Sequence, residues 1–164
     1  LSLWEPWLLF FEFYLMMRFI KGIVYRTWKP LVKNYLRKPR VFTYKNSAVD
    51  VPPGVFHPGF FFSTKLMISF LEKIDLAGKN VLEVGSGSGL ISIYMAKRNA
   101  LVTACDISPL AETATARNVK RNHVSVSFFQ SDLFAAIPLQ QFDTIVVNPP
   151  FYKKNPSSVG HILL

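Results

Sequence analysis

From residue 80 onward the chain alternates short apolar runs with segments of helical character. The apolar runs predict four β-strands, at residues 80–84, 101–105, 124–129 and 142–147. Helices are expected between the first three strands. One starts near Leu90, and another starts at Ser108, which can cap a helix whose first position is Pro109. Regular alternation of strand and helix implies parallel pairing with right-handed crossovers. We therefore predict an α/β fold with a doubly wound, mostly parallel sheet.

Two other patterns precede the sheet. Residues 19–36 carry apolar residues at helical spacing with basic residues three or four apart, and Pro30 divides them into two helical pieces. A β-hairpin is expected from two short strands, residues 41–45 and 48–51, on either side of Asn46-Ser47. These patterns divide the chain into a helical arm, a hairpin with a Pro-, Gly- and Phe-rich loop, and an α/β domain, at residues 1–40, 41–62 and 63–164.

The segment between the hairpin and the sheet combines a rigid loop with one helix. Its Pro- and Gly-rich beginning is expected to be neither helix nor strand. Residues 60–62 are three adjacent phenylalanines, which are expected in the core, with a ligand cage as the alternative. Ser63 or Thr64 can cap a helix that continues to Ile74. Gly78 is expected to end that helix before the sheet begins.

Three of the predicted strands end in residues suited to binding a nucleotide-like ligand. Gly85, Gly87 and Gly89 follow the first strand, where glycine lets the backbone turn sharply and approach a ligand closely. Asp106 ends the second strand, nineteen residues after Gly87, where a carboxylate can accept hydrogen bonds from ribose hydroxyls. Asn148-Pro149-Pro150-Phe151 follows the fourth strand. The glycine loop alone could be a plain turn, but in a parallel sheet all three ends meet along one rim.

These residues, with Ser131-Asp132-Leu133 after the third strand, resemble the class I S-adenosylmethionine-dependent methyltransferases. More narrowly, they resemble the small-domain group, which contains release-factor glutamine methyltransferases and ribosomal RNA guanine methyltransferases. The resemblance covers roughly residues 52–155. It implies a Rossmann-like sheet, S-adenosylmethionine as cofactor, and methyl transfer to a planar nitrogen of a glutamine amide or a nucleic-acid base. The sheet of that group continues past a fourth strand, so this chain is expected to be truncated there.

The resemblance also implies roles for individual residues. The Asn148 side-chain oxygen and the Pro149 carbonyl would each accept an N–H of the acceptor group, in a turn stiffened by Pro150, and Phe151 would stack on its flat face. Asp132 would lie beside the adenine amino group, with a helix cap as the alternative. The implied cofactor-binding residues are Glu83, Gly85, Ser86, Gly87, Gly89, Asp106, Ile107, Asp132 and Leu133.

The charge of the chain is concentrated at its start. The net charge is +9, and residues 1–45 hold nine basic and two acidic residues, a net +7. Three roles for this basic arm stay open: packing on the domain, contact with nucleic acid or the ribosome, and attachment to a membrane surface. Residues 1–20 are apolar, but Glu12 near their centre argues against a membrane span. Met16 or Met17 is an alternative start of the native protein.

The few cysteines and histidines limit the disulfides and metal sites that the chain can form. Cys105 is the single cysteine, which excludes an internal disulfide and a Cys-based zinc site, and its apolar strand makes it a small core residue. His123 and His161 have no companions that would form a metal site, so no metal is expected, and His57 is a loop histidine with a smaller chance of substrate contact. A cytoplasmic location is expected, with peripheral membrane association as the variant.

The expected partner is a macromolecular substrate, either a release factor or another protein, or ribosomal or transfer RNA. Two other functions are open. The chain can be a non-catalytic methyltransferase-like binding module, or a membrane-associated small-molecule methyltransferase. The sequence indicates no oligomeric state.

Overall fold

The computed structural model describes residues 26–27, 30–32 and 34–149. The chain divides into two compact units, Leu1–Lys38 and Pro39–Leu164. In the first unit the described residues up to Tyr35 are helical, which confirms the predicted helical character at those positions. The predictions for residues 1–20 and for the break beside Pro30 fall on or next to residues outside the described ranges.

In the second unit two strands form a hairpin and four form a parallel sheet. The described elements are β1 (Arg40–Tyr44), β2 (Ser47–Val51), a 3₁₀ turn (Pro58–Phe60), α1 (Phe62–Leu71), β3 (Asn80–Val84), α2 (Leu90–Ala96), β4 (Leu101–Asp106), α3 (Pro109–Arg121), β5 (Val126–Gln130) and β6 (Thr144–Val147). β1 and β2 are antiparallel, and every pairing among β3 to β6 is parallel. The predicted doubly wound, mostly parallel sheet is confirmed.

The strand order β5-β4-β3-β6 determines where a ligand can bind. The chain moves outward from β3 to β4 and β5, and then returns to place β6 on the other side of β3. Val84, at the end of β3, pairs with Cys105 of β4 and with Val147 of β6. The strand order therefore reverses at β3, with β4 on one side of it and β6 on the other. Such a switch in direction opens a crevice at the carboxyl ends of the strands.

The two faces of the sheet pack against different residues. The larger cluster joins the face that includes Val81 and Val102 to side chains such as Ile68 of α1 and Ile93 of α2. On the other face, Leu82, Val84 and Cys105 pack against Phe129, Ile137 and Phe142. The predicted core position of Cys105 is confirmed, since its side chain is fully buried. Strand alternation separates the two clusters, because successive side chains point to opposite faces.

The hairpin turn lies one residue earlier than the sequence indicated. Lys45 and Asn46 form the turn, with Lys45 at φ +51°, and Ser47 pairs with Tyr44 as the first residue of β2. Ser47 has the short polar side chain typical of turns, which led to its assignment there. Its side chain instead faces the core together with Val49, so the buried face of β2 sets the register.

Helix α1 was predicted with the wrong boundaries. Its N-cap residue is Phe61, which makes no side-chain cap, so Ser63 and Thr64 lie inside the first turn. The helix ends at Leu71 rather than Ile74. Gly78 adopts φ +69° in a separate turn and donates its N–H to the Asn99 carbonyl. It therefore does not end α1.

The three phenylalanines before and at the start of α1 are not core residues. Phe60, Phe61 and Phe62 are 39%, 44% and 76% exposed. The helix buries Thr64, Ile68 and Leu71 instead, a stripe with the i, i+4, i+7 spacing of one helical face. Large apolar residues occur on both faces of α1, so the sequence does not show which face is buried.

The remaining elements agree with expectation apart from small differences. Ser108 is the N-cap residue of α3 and Pro109 its first position, as predicted, although it is the Ser108 carbonyl that accepts the N–H of Ala111. A 3₁₀ turn occupies part of the loop that was expected to be irregular. Among the described residues no helix is both long and apolar enough to cross a membrane.

Candidate functional site

A cavity of about 300 Å³ opens at the carboxyl ends of β3, β4 and β6. This volume is at the lower end of the range of about 300–1,000 Å³ for small-molecule sites. The predicted site residues that line it are Glu83, Gly85, Ser86, Gly87, Asp106, Ile107, Asp132, Leu133, Asn148 and Pro149. The strand ends singled out from the sequence thus meet in one cavity. Pro150 and Phe151 lie outside the described residues.

The glycine loop after β3 is fixed by backbone contacts to β4. Gly85 and Ser86 both donate their N–H groups to the Cys105 carbonyl, at 2.8 and 3.1 Å. Gly85 and Gly87 adopt φ +77° and +54°, left-handed values that favour glycine. Gly89, at φ +76°, does not line the cavity and is the N-cap residue of α2. Its role is to let the loop enter the helix.

Asp106 has an internal role that the sequence did not indicate. Its Oδ2 accepts the N–H of Gly87 at 2.8 Å, and its Oδ1 accepts the N–H of Ser108 at 2.9 Å. The carboxylate therefore connects the glycine loop to the loop after β4. Each carboxylate oxygen can accept more than one hydrogen bond, so Asp106 can still accept from a ligand hydroxyl.

Ser86 presents a buried hydroxyl in the lining of the cavity. Its side chain is 7% exposed, and its Oγ has no hydrogen-bond partner among the described residues. A buried polar atom without a partner is unfavourable, so its presence in a cavity indicates a place for a ligand atom. Ser88, two residues later, is also buried and lines the same cavity.

Glu83 is the most perturbed acid of the site. Its pKa is raised from 4.5 to about 7, chiefly by burial and in smaller part by the negative charge of Asp106, while hydrogen bonds from Ser92 oppose the rise. The Ser92 hydroxyl of α2 donates to its Oε2. Near neutral pH the folded protein can therefore hold Glu83 in either charge state, and a cation in the cavity would favour the ionised form.

The residues after β5 form an exposed edge of the cavity. Asp132 and Leu133 are exposed, and Leu133 adopts φ +49°. The alternative assignment of Asp132 as a helix cap is not what the structure shows. No helix follows β5 within the described residues, and the Ser131 hydroxyl accepts the N–H of Ala136. Ile107 is also exposed at the cavity, so an apolar surface lies beside Asp132.

Asn148 contacts a residue that the sequence analysis had placed only as a helix cap. Its Nδ2 donates to Thr64 Oγ1 at 3.4 Å, and Thr64 is buried and lines the same cavity. This contact directs the amide nitrogen to Thr64 and leaves the Asn148 oxygen as an acceptor. Pro149 lies beside it on the cavity lining. Sequence reasoning missed Thr64 because a hydroxyl in a first helical turn resembles an ordinary cap.

The loop after the hairpin supplies the remaining lining. Gly54, Val55, Phe56 and Pro58 line the cavity, and Phe56 stacks on Phe61 with ring centroids 4.2 Å apart.

His57 does not line the cavity. Its Nδ1 accepts the N–H of Gly59, and its ring packs edge-on against Phe42 and Phe60. Burial lowers the pKa of His57. These contacts indicate a packing role in the loop.

Comparison with protein families matches residues 46–163 to the methyltransferase small domain. The match covers more than half of the chain and includes every strand end described above. The chain belongs to the methyltransferase small domain family. The resemblance noted from the glycine loop, Asp106 and the Asn-Pro-Pro-Phe motif is therefore confirmed.

Several curated methyltransferases are similar to this small domain. A Methanocaldococcus jannaschii protein, named provisionally as a protein N5-glutamine methyltransferase, is 41% identical over 97 residues, 58% of this chain and 49% of its own length. A ribosomal protein L11 methyltransferase of Thermosipho africanus is 41% identical over 102 residues, covering 61% of this chain and 39% of its own length. The chain thus spans about half or less of these relatives.

Solved structures show the same fold for the small domain. The 16S rRNA N2 methyltransferase of T. thermophilus, in complex with AdoMet and guanosine, has a TM-score of 0.65 at 23% identity and covers 72% of this chain and 34% of its own. A Pyrococcus abyssi tRNA uracil C5-methyltransferase, in complex with S-adenosyl-L-homocysteine, has a TM-score of 0.58 at 25% identity and covers 69% and 28%. From these similarities and the parallel sheet, the small domain has the Rossmann-like class I methyltransferase fold.

Proposed function

We propose that this protein is an S-adenosylmethionine-dependent methyltransferase acting on a planar nitrogen of a protein or an RNA. The observation that carries the proposal is one cavity that combines the glycine loop and Asp106 with the acceptor oxygen of Asn148. A methyl donor and a planar acceptor held in such a cavity would be adjacent. That proximity is the main requirement of a direct displacement.

The residues of the cavity suit S-adenosylmethionine. Asp106 retains acceptor capacity for ribose hydroxyls, and the buried Ser86 hydroxyl has no partner in the part of the chain that the structure describes. Glu83 offers a carboxylate to a positively charged ligand. Asp132 and the exposed apolar side chains of Ile107 and Leu133 line the same cavity and suit the amino edge and the flat faces of adenine. When bound, the cofactor supplies an electrophilic methyl group on a sulfonium.

Asn148 is proposed to position and polarise the acceptor. An amide has no proton to exchange near neutral pH, so it cannot act as a general base. Its oxygen, left as an acceptor by the contact to Thr64, can take an N–H from a glutamine amide or a base amino group. The Pro149 carbonyl can take the second N–H. Two fixed acceptors would orient the nitrogen and support the positive charge that develops on it.

The names of the relatives support a macromolecular acceptor. The relatives described above are named as methyltransferases of protein glutamine and of ribosomal protein L11, and the T. thermophilus structure is named as a 16S rRNA methyltransferase. These substrates are properties of the relatives, and the short coverage of each makes their transfer to this chain part of the proposal. A C5-methyltransferase among the structural neighbours marks the limit of the argument from fold.

The test separates binding from chemistry. Labelled S-adenosylmethionine is incubated with protein and fractionated cell extract, and the products are digested with protease or with ribonuclease. Asn148→Ala should lower methyl transfer by ~10²–10³-fold, as expected for the loss of one preorganised polar group. Cofactor affinity, measured by calorimetry, should stay nearly constant. Asn80→Ala, an exposed asparagine at the opposite end of β3, is the matched control.

Each outcome of that test is decisive. Wild-type turnover in Asn148→Ala would refute the planar-nitrogen assignment. Cofactor binding without methylation of any fraction would favour the non-catalytic binding module. Transfer into a small-molecule fraction that resists both digestions would favour the third function, a small-molecule methyltransferase. Absence of cofactor binding would refute the proposal as a whole.

A further inference from the structure

Two asparagines, Asn118 of α3 and Asn122 at its C-cap, satisfy the outer edge of the hairpin. β2 pairs with β1 on one side only, so a strand edge with unpaired backbone groups would otherwise remain. Asn122 accepts the N–H of Ala48 at 3.1 Å and donates to its carbonyl at 2.7 Å. Asn118 does the same for Asp50, at 2.7 and 2.8 Å. Each side-chain amide thus replaces one peptide group of a neighbouring strand.

Asn118 makes one contact that Asn122 does not. Its second amide hydrogen is donated to the carbonyl of Ser88, in the glycine loop, at 2.9 Å. Asn118 is fully buried, and these three hydrogen bonds use both of its donors and its oxygen. One side chain therefore joins the hairpin to the glycine loop.

The two segments joined by Asn118 lead to two parts of the cavity lining. β2 ends one residue after Asp50 and leads directly to the loop that supplies Gly54 and Phe56 to the lining. The glycine loop supplies the other part. The two approach each other closely, because a Cβ placed on Gly87 would lie 3.7 Å from the Cβ of Phe56.

We propose that Asn118 is a positioning residue that couples the β1–β2 hairpin to the cofactor end of the cavity. The glycine loop cannot move away from α3 without leaving the buried Ser88 carbonyl unsatisfied, which is unfavourable. The hairpin cannot move without leaving the backbone of Asp50 unsatisfied. Both movements cost hydrogen bonds to the same amide, so one residue takes part in holding both sides. The ligand named below rests on the proposed function, but the coupling does not.

The matched pair Asn118→Ala and Asn122→Ala tests the coupling. Both variants lose the contacts to β2, so both should unfold at lower urea concentration than the wild type. Asn118→Ala should also weaken binding of S-adenosylhomocysteine about tenfold in calorimetry, since one buried hydrogen bond to the loop is lost. Asn122→Ala should change that affinity less than about twofold. Equal affinity losses in both variants would overturn the proposal.

Hydrogen exchange provides a readout that needs neither catalysis nor a stable variant. In the wild type, ligand binding should slow exchange of the Asp50 amide, which donates to Asn118, more than that of the Ala48 amide, which donates to Asn122. Equal protection of the two amides would contradict the coupling. If the wild type does not bind S-adenosylhomocysteine, the proposed function fails. The coupling is then judged by whether the Gly87 amide exchanges faster in Asn118→Ala than in Asn122→Ala.

Discussion

Glu83 is a buried acid whose charge the fold makes dependent on pH near neutrality. Its pKa rises from 4.5 to about 7 on folding, chiefly because of burial. The folded chain therefore binds this proton more tightly than the unfolded chain, and the contribution to stability is fully present below pH 4.5. It is lost as the pH rises towards 7, by about 3 kcal/mol for a shift of this size. Urea unfolding of Glu83→Gln from pH 4.5 to 8 should show a flatter profile than the wild type.

The same residue should link cofactor binding to protons. A cationic ligand stabilises the ionised carboxylate, so binding of S-adenosylmethionine below pH 7 should release a proton. Calorimetry in buffers of different ionisation enthalpy measures that release. Glu112→Gln, which removes an exposed acid of α3, is the control and should keep it. Proton release that persists in Glu83→Gln would assign the effect to another group.

Asp106 holds two loops together and is proposed to bind ribose, and a single substitution removes both contacts at once. Asp106→Ala removes the acceptors of the Gly87 and Ser108 amides as well as any contact to ribose. We expect lower stability by about 1–3 kcal/mol, the cost of leaving partly buried groups unpaired. Affinity for S-adenosylhomocysteine should fall as well, about tenfold or more.

A double comparison isolates the ribose contact. An analogue of S-adenosylhomocysteine that lacks the ribose 2′-hydroxyl should bind the wild type more weakly than the parent compound. In Asp106→Ala the two compounds should bind equally, because the partner of that hydroxyl is gone. If the analogue binds more weakly than the parent compound by the same factor in both proteins, Asp106 only holds the loop.

At the scale of elements, the junction between the glycine loop and α2 depends on the absence of a side chain. Gly89 has φ +76°, and a Cβ there would lie 3.0 Å from Thr115 Cγ2 of α3. Gly78 has φ +69° but no atom within 4 Å of the same position. Gly78→Ala should cost about 1 kcal/mol of stability from backbone strain alone. Gly89→Ala should cost about 1–3 kcal/mol more, because two helices would have to separate.

The measurement is urea unfolding of both variants, with Gly89→Ala/Thr115→Ser as the relief variant. Removing the Thr115 methyl should recover part of the loss at Gly89. Equal costs for Gly78→Ala and Gly89→Ala would mean that α2 and α3 adjust freely at this contact.

The elements that the sequence predicted correctly are determined by residues close together in the chain. Glycines and an acid at strand ends determine local geometry, so β3, β4 and the loop between β3 and α2 could be recognised without tertiary contacts. Helix α1 was recognised as a helix, but its buried face was not, because Phe62, Leu66 and Phe70 on one face compete with Ile68 and Leu71 on the other. Periodicity identifies a buried face only where the opposite face is polar.

The contacts that join the site were beyond the same reasoning. Asn118 is a polar residue in an otherwise polar stretch of α3, and its sequence context predicts a solvated position. It is buried because β2, 68 residues earlier, presents its edge to it. The contact between Thr64 and Asn148 spans 84 residues. Contacts over such separations follow from topology, which local patterns restrict but do not determine.

At the scale of the whole molecule, the distribution of charge sets an expectation for how a substrate is approached. Nine basic and two acidic residues lie in residues 1–45, whereas residues 46–164 carry a net charge of only +2. Phosphate contacts release counterions, so the logarithm of the binding constant falls with the logarithm of salt concentration by about 0.7–0.9 per contact. An arm that contacts RNA should account for most of that slope.

Neutralising four arm residues, Arg18, Lys21, Lys29 and Lys33, to Gln should therefore weaken RNA binding at low salt and flatten the salt slope by up to about 3 for single-stranded RNA. The matched control neutralises four exposed bases of the second unit, Lys73, Lys79, Arg117 and Lys120, and should change the slope little. The measurement is fluorescence anisotropy from 50 to about 300 mM salt. Equal slopes for the arm variant and the wild type would exclude RNA contact by the arm.

In that case the other two roles of the arm are tested on the same variant. A loss of thermal stability would favour packing on the domain, and loss of flotation with anionic liposomes would favour membrane attachment. An arm variant unchanged in all three measurements would contradict every role considered for these charges.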